Sequence, residues 1–239
     1  MSTRKRIAVL TGAGISAESG ISTFRDSDGL WNNFRVEDVA TPEGFARNPQ
    51  MVLDFYNSRH AELEHTQPNA AHEILAKLQD EFEVDIITQN IDDLHERAGS
   101  KSVLHLHGEL TKARSTRNDE LIVEWPYGKN IKPGDKAPDG SQLRPHIVWF
   151  GEAVPNITKA EEIVGGADIM LIVGTSLKVY PAAGLVAYAA DNAPIYLVDP
   201  KAVEVKDIKN LTVIKDVATK GVAKFAELIS TKKASGRQV

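Results

Sequence analysis

The chain has 239 residues with 42% hydrophobic and 26% charged side chains and a net charge of −5, which is room for one sizeable core plus a small insertion. The acidic balance argues against a nucleic-acid partner, and no apolar stretch reaches the roughly 20 residues that cross a bilayer. Cysteine is absent, which removes disulfides, thiolate–zinc sites and a cysteine nucleophile. The first strand-like run follows closely on Met1, leaving no space for a leader segment, so a cytoplasmic protein is expected.

The apolar run at 7–10 leads directly into Thr11-Gly12-Ala13-Gly14-Ile15-Ser16-Ala17-Glu18-Ser19-Gly20, read as a strand, a glycine-rich turn and a small-residue helix. Glycines permit close backbone approach, and free N–H groups at a helix start attract anions, so the turn suits phosphates. Gly12-x-Gly14 also opens the dinucleotide fingerprint of dehydrogenases. That pattern needs another glycine where Ala17 stands and an acidic residue about 20 positions on at a strand end, so an ordinary dehydrogenase fits poorly. The polar stretch 21–31 reads as a loop covering a bound nucleotide. Residues 38–66 read as helical, with Pro42 and Pro49 suited to helix starts and Val52, Phe55, Tyr56 and Leu63 at helical spacing.

Further strand-like runs at 84–88, 103–106, 169–173, 195–198 and 211–214 alternate with amphipathic stretches, the pattern of an α/β fold with a parallel sheet covered on both faces. The uniformly apolar 169–173 is expected to be buried from both sides. Residues 108–145, rich in Gly, Pro, Asp and Lys with one strand candidate at 121–123, read as a loosely organised insertion. Its carboxylates Asp119, Glu120, Asp135 and Asp139 are expected to be solvated, and Leu121, Val123, Trp125 and Tyr127 to stabilise it by packing. Ligands gather at the carboxyl ends of strands in such sheets, so the polar strand ends 12–16, 89–92 and 174–176 are expected to converge.

Two clusters there carry chemistry. Gln89-Asn90-Ile91-Asp92 either caps a short helix running to Gly99 or offers amides and a carboxylate to a ribose and a carboxamide. In Leu104-His105-Leu106-His107-Gly108 the two histidines share a strand face; a metal pair lacks a third histidine before His146, so a base is preferred, with a structural histidine as the alternative.

Taken together, Thr11-Gly12-Ala13-Gly14-Ile15-Ser16, Phe24-Arg25-Asp26, Thr88-Gln89-Asn90-Ile91-Asp92, His107-Gly108, Val148-Trp149-Phe150-Gly151-Glu152 and Gly174-Thr175-Ser176 resemble the sirtuins, NAD-dependent protein lysine deacylases, in the family's order from about 7 to about 225. The resemblance implies a single catalytic domain over 1–239, a Rossmann-like parallel sheet with helices on both faces, and a small lobe formed by insertions at about 38–66 and 108–147. It implies that Gly12, Ala13, Gly14, Ala17, Thr23, Phe24, Arg25 and Trp31 surround NAD and its pyrophosphate, and that Gln89, Asn90, Ile91 and Asp92 line the nicotinamide and ribose pocket. Gly174, Thr175 and Ser176 would hold the adenosine half, with Leu197, Val198, Asp199 and Ala218 nearby; Asp199 stands where many relatives have Asn. His107 matches the general base, and Val148, Trp149, Phe150 and Gly151 the acyl-lysine tunnel, whose backbone pairs with an added peptide strand.

The implied reaction consumes NAD as co-substrate. Nicotinamide leaves, the acyl oxygen of an acylated protein lysine captures the ribose, and His107 deprotonates a ribose hydroxyl on the way to free lysine and O-acyl-ADP-ribose. Most sirtuins carry two Cys pairs between the catalytic His and the Trp-Phe-Gly segment; here there are none, with Ser115 near the first, so no zinc is expected. Tyr56-x-x-Arg59 matches the signature of the desuccinylating class III members, Ala40 matches a position they keep small, and succinyl, malonyl, possibly glutaryl and acetyl groups are the implied substrates. Mono-ADP-ribosylation of proteins, or a catalytically weak NAD-binding sensor, are the other functions this pattern allows.

Overall fold

The computed structural model describes residues 4–22, 30–31, 34–201 and 208–235. Along the chain the strands are β1 (Arg6–Thr11), β2 (Leu30–Trp31), β3 (Phe34–Arg35), β4 (Glu83–Thr88), β5 (Val103–His105), β6 (Gly108–Ser115), β7 (Ile122–Glu124), β8 (Leu143–Ile147), β9 (Ile169–Val173), β10 (Ile195–Val198) and β11 (Leu211–Ile214). The α-helices are α1 (Val36–Val39), α2 (Pro42–Arg47), α3 (Pro49–His65), α4 (Ala70–Leu78), α5 (Leu94–Arg97), α6 (Ile157–Gly165) and α7 (Ala218–Ser235).

Six strands form one parallel sheet in the order β11-β10-β9-β1-β4-β5, the doubly wound, Rossmann-like arrangement in which the order reverses between β1 and β9. Side chains alternate across β1, so Ile7 and Val9 pack against Ala71, Leu75, Val222 and Phe225 of α4 and α7, while Ala8 and Leu10 face Ala160 and Val164 of α6 and Leu185 of a 3₁₀ helix. Every residue of β9 is buried, as its uniform apolarity predicts for a strand covered on both faces. Among the described residues no helix is long and apolar enough to cross a membrane.

After β1 the chain departs from expectation, forming two 3₁₀ turns, Ala13–Ile15 and Ala17–Ser19, instead of an α-helix. Gly20 at φ 94° ends the second; small residues give an α-helix no apolar face with which to extend. In the helical segment, Thr41 and Asn48 accept hydrogen bonds from the backbone N–H of Gly44 and Met51, and Pro42 and Pro49 stand in the first turns of α2 and α3, where a missing N–H costs nothing.

The segment 108–145 is not loosely organised. It holds most of an antiparallel sheet in the order β7-β6-β8, locked onto α3 by three contacts. Asn57 exchanges two 2.9 Å hydrogen bonds with the Ile131 backbone, His60 stacks on Trp125 at 4.1 Å, and His60 Nε2 donates to the Trp125 carbonyl at 3.0 Å. Trp125 is buried, with Val123 and Tyr127 packed beside it.

Asp139 is a second correction, because it organises the lobe rather than only meeting solvent. Its carboxylate accepts from the Ser115 hydroxyl at 2.7 Å, and from the Ser141 hydroxyl and backbone N–H at 2.7 and 3.0 Å. Those hydrogen bonds, Ser115 foremost, hold its pKa down to about 2. The fully buried Ser115 Oγ also accepts from the N–H groups of Arg117 and Asn118 at 2.9 and 3.0 Å. Asp119 reaches Arg114 at 3.5 Å, and Asp135 accepts from the Lys132 N–H. Ser115→Ala would strand two backbone donors and is expected to lower unfolding stability by about 1–3 kcal/mol; a urea curve unchanged from wild type would show that Ser115 is not a structural centre of the lobe.

Candidate active site

At the reversal of sheet order the turns after β1 and β9 touch. Gly12 N donates to Val173 O at 3.0 Å and Gly14 N to Gly174 O at 2.9 Å. A Cβ on Gly14 would stand 2.6 Å from Gly174 Cα, and one on Gly174, whose φ is +63°, would stand 2.4 Å from Ile15 N. Only glycine fits this backbone-on-backbone contact. Gln89 ties in the third strand end, its N–H donating to Thr11 O at 2.9 Å and its Nε2 to Thr175 Oγ1 at 3.1 Å.

Beside it Asn90 Nδ2 donates to Ser16 Oγ at 3.0 Å, and Ser16 Oγ donates to Asp92 Oδ2 at 2.9 Å. All three residues are buried. Burial pushes the Asp92 carboxyl up to about 6, against the partial opposition of hydrogen bonds from Ser16 and the Leu94 N–H.

His107 lies between the last strand pairing of the large sheet and the start of β6. Its Nδ1 is 3.0 Å from the Gln89 carbonyl; a carbonyl only accepts, so Nδ1 carries the hydrogen and Nε2 keeps a lone pair. Burial holds its pKa below the ordinary 6.5, partly offset by that carbonyl, so the ring is neutral at pH 7. Gly108 follows at φ +81°, where a Cβ would meet the His146 carbonyl oxygen at 2.0 Å, so glycine is required directly after His107. Val148 N donates to His107 O at 2.9 Å.

His105 turns to other partners, Asn90 O at 3.0 Å and Glu96 Oε1 at 2.8 Å. Burial disfavours its charge, but Glu96 outweighs that and holds its pKa above the ordinary value. Among the described residues no group of three or more His, Cys, Asp or Glu could hold a metal ion.

One cavity of about 310 Å³ joins these parts. From the large sheet it is lined by Gly12, Ala13, Gln89, Asn90, Ile91, Asp92, Gly174, Thr175 and Ser176, together with His107; from the small lobe, by Ala40, Tyr56, Arg59, Val148, Trp149, Phe150 and Gly151. The Tyr56 hydroxyl accepts from Trp149 Nε1 at 3.0 Å, and Phe150 N donates to Ala40 O at 3.0 Å. Arg59, one turn beyond Tyr56 on α3, reaches Glu62 at 3.2 Å. Trp31 also lines the cavity, edge-on to Phe55 and Tyr56 at 5.0 and 6.2 Å, which sets it in the aromatic cluster of the lobe.

Other expected contacts are not at the cavity wall. Gly14 packs on Gly174 and Ala17 faces solvent. Leu197 and Val198 point into the cores on opposite faces of the sheet, Ala218 is in the core under α7, and Asp199 is buried with its carboxylate on the Lys201 N–H at 2.9 Å. Their side chains serve packing and a turn. Thr23, Phe24 and Arg25 lie outside the described residues. Glu62 went unsuspected, although its i,i+3 spacing from Arg59 is a readable pairing signal; Arg144 and its stacking on Trp149 carry no local signal at all.

The glycine cradle, the amides and hydroxyls at three strand ends and the neutral imidazole fit a dinucleotide carrying ribose and carboxamide groups. The Sir2 family model matches residues 12–181. The chain is 54% identical over 229 residues to an NAD-dependent protein deacylase of Bacteroides thetaiotaomicron, covering 94% of this chain and 98% of the relative. It is 55% identical over 198 residues to an NAD-dependent protein deacylase of Helicobacter pylori, covering 83% and 86%. Among solved structures, a substituted Sir2 homologue in complex with ADP-ribose is similar with a TM-score of 0.86 and 37% identity, over 99% of this chain and 95% of that one.

The raised Asp92 pKa has a thermodynamic signature. The folded protein holds this proton more tightly than the unfolded chain, whose ordinary value is 3.8. The linked stability is present in full below pH 3.8 and is lost as pH rises through about 6. Asp92→Asn keeps an acceptor for Ser16 and abolishes the titration, so it is expected to be more stable than wild type at pH 8 by about 1–3 kcal/mol and to lose that advantage near pH 4. Urea unfolding at both pH values decides it: no gain at pH 8 sinks the account of a buried, strained carboxylate.

Proposed function

The chain belongs to the Sir2 family, and from that premise we propose that it is an NAD-dependent protein lysine deacylase acting on acyl groups that end in a carboxylate, succinyl and malonyl foremost, with glutaryl and acetyl also accepted. The observation that carries this reading is that one cavity gathers the strand-end turns, His107, Tyr56 and Arg59.

NAD, consumed as co-substrate, supplies the ADP-ribose that accepts the acyl group. Gly12, Ala13, Gln89, Asn90, Asp92, Thr175 and Ser176 would hold it, the glycine turns leaving room for its phosphates. His107 Nε2 offers a lone pair to a ribose hydroxyl, and its low pKa keeps that lone pair available at neutral pH. The backbone of 148–151 would pair with the substrate chain and aim its acyl-lysine into the cavity. At the far end Arg59 offers the planar fork that suits a carboxylate, Tyr56 a hydroxyl, and Ala40 the space. The acyl carboxylate would share Arg59 with Glu62, which lies 3.2 Å from it.

Two substitutions test this. His107→Ala is expected to fold and bind NAD but to deacylate about 10²–10⁴-fold more slowly, and wild-type activity should fall on the acid side only below pH 6.5, as His107 gains a proton. Nicotinamide release with and without acylated peptide, read by chromatography, separates deacylation from mono-ADP-ribosylation and from mere NAD binding; full turnover by His107→Ala would remove the base assignment. Arg59→Met is expected to raise KM for a succinyl-lysine peptide at least about tenfold relative to its effect on acetyl-lysine, the loss of a charge-assisted hydrogen bond. If KM rises equally for both peptides, Arg59 is structural and the acyl preference is wrong.

A further inference from the structure

We infer that Arg144 is a positioning residue for the acyl pocket: its guanidinium holds the Trp149 indole, and the indole fixes the Tyr56 hydroxyl as a hydrogen-bond donor toward a carboxylate-terminated acyl chain. This rests on the reading of Tyr56 and Arg59 just given and adds a residue outside the cavity wall to it.

The geometry is a chain of three contacts. Arg144, on β8, places its guanidinium 3.3 Å from the centroid of the Trp149 ring, within the range of a strong cation–π contact. The same guanidinium is gripped by Glu152 through two hydrogen bonds of 2.6 and 3.1 Å and by the Ile147 carbonyl at 2.8 Å. Glu152 also accepts from the Trp149 backbone N–H at 2.8 Å, so one carboxylate anchors both the cation and the main chain of the ring it covers. Arg144 and Trp149 are 6% and 2% exposed, and neither has room to reorient.

The polarity of the last contact follows from chemistry. An indole nitrogen carries a hydrogen and accepts none. At 3.0 Å from Trp149 Nε1 the Tyr56 oxygen therefore accepts, and its own hydrogen must point elsewhere. Among the described residues no acceptor takes that hydrogen, and Tyr56 lines the cavity. With the indole removed or rotated, the hydroxyl hydrogen could turn toward the vacated side; with the indole held in place, one oxygen lone pair is taken and the hydrogen is directed away from Trp149, which suits a carboxylate and offers nothing to a methyl group.

The ion pairs anchor the guanidinium. Arg144 and Arg114 both bond Glu152, two cations on one carboxylate that itself lines the cavity. Arg114 reaches a second carboxylate, the largely exposed Asp119, at 3.5 Å, where water weakens the pairing.

The test compares kcat/KM for succinyl- and acetyl-lysine peptides in Arg144→Met, Arg144→Lys and Trp149→Phe, each alone and combined with Tyr56→Phe. Arg144→Met is expected to lower the succinyl-to-acetyl ratio by about tenfold, through KM, roughly the loss of one hydrogen bond to a charged group. Arg144→Lys keeps a cation on Glu152 without the planar fork and should restore part of that ratio. Trp149→Phe, which keeps a ring but no N–H, should mimic Arg144→Met. In the Tyr56→Phe background all three should leave the ratio within about twofold, the non-additivity expected of residues acting through one another. If Arg144→Met does not fold, Arg144→Lys and Trp149→Phe carry the comparison. A ratio that responds to Tyr56→Phe and Arg59→Met but to no variant at 144 or 149 overturns this proposal alone. A ratio that responds to none of them overturns the acyl reading beneath it as well.

Discussion

The contact between two glycine turns is the constraint on which the site depends. Parallel strands end in a row, and without more their polar termini would be spread along the sheet edge. Here Gly14 and Gly174 meet backbone to backbone, at a distance where a single Cβ would intrude to 2.4–2.6 Å. That closeness lets Gln89 span from Thr11 to Thr175 and brings Ser16 within reach of Asn90 and Asp92. A methyl group at either glycine would separate the turns and break several of these bonds at once, because close-packed interiors have no slack to absorb it. The polar groups are buried together, and Asp92 carries the electrostatic cost of that arrangement.

The small lobe solves a different problem, holding a short three-stranded sheet in register without cysteine. Its answer is distributed over an Asn57 pair with the Ile131 backbone, a histidine sandwiched beside Trp125 and Tyr127, and a carboxylate-and-serine knot around Asp139. Strand β8 then couples this scaffold to the cavity, since it carries Arg144 and runs directly into the segment that includes Trp149. Rigidity of the lobe and shape of the cavity are consequently one property.

Much of this was legible in the residues. Uniformly apolar runs announced the parallel sheet, and the polar strand ends announced where the cavity lies, because both signals are local. Strand β6 was not legible: Gly-Glu-Leu-Thr-Lys-Ala-Arg-Ser has no clean alternation, and it buries Arg114 and Ser115 only because Glu152 and Asp139, distant in sequence, satisfy them. The same reason hid the role of Asp139, which looked like any surface carboxylate. Leu197, Val198 and Ala218 are expected near the cofactor from the family resemblance, and strand alternation and helix packing send their side chains into the cores. Motifs locate backbone; burial decides what each side chain does.

The segment after β8 has a direction built into it. The N–H groups of Val148, Trp149 and Phe150 are already committed, to the carbonyl of His107, the carboxylate of Glu152 and the carbonyl of Ala40 respectively. A substrate chain paired here, as proposed above, would find none of these three N–H groups free and would have to bring its own N–H groups to the carbonyls of Val148 and Phe150, since the Trp149 carbonyl already accepts from the Glu152 N–H at 3.0 Å. Selection at this edge would act on the main chain of the guest, accepting almost any side chain but excluding an imino acid, proline, at the position where a hydrogen has to be given.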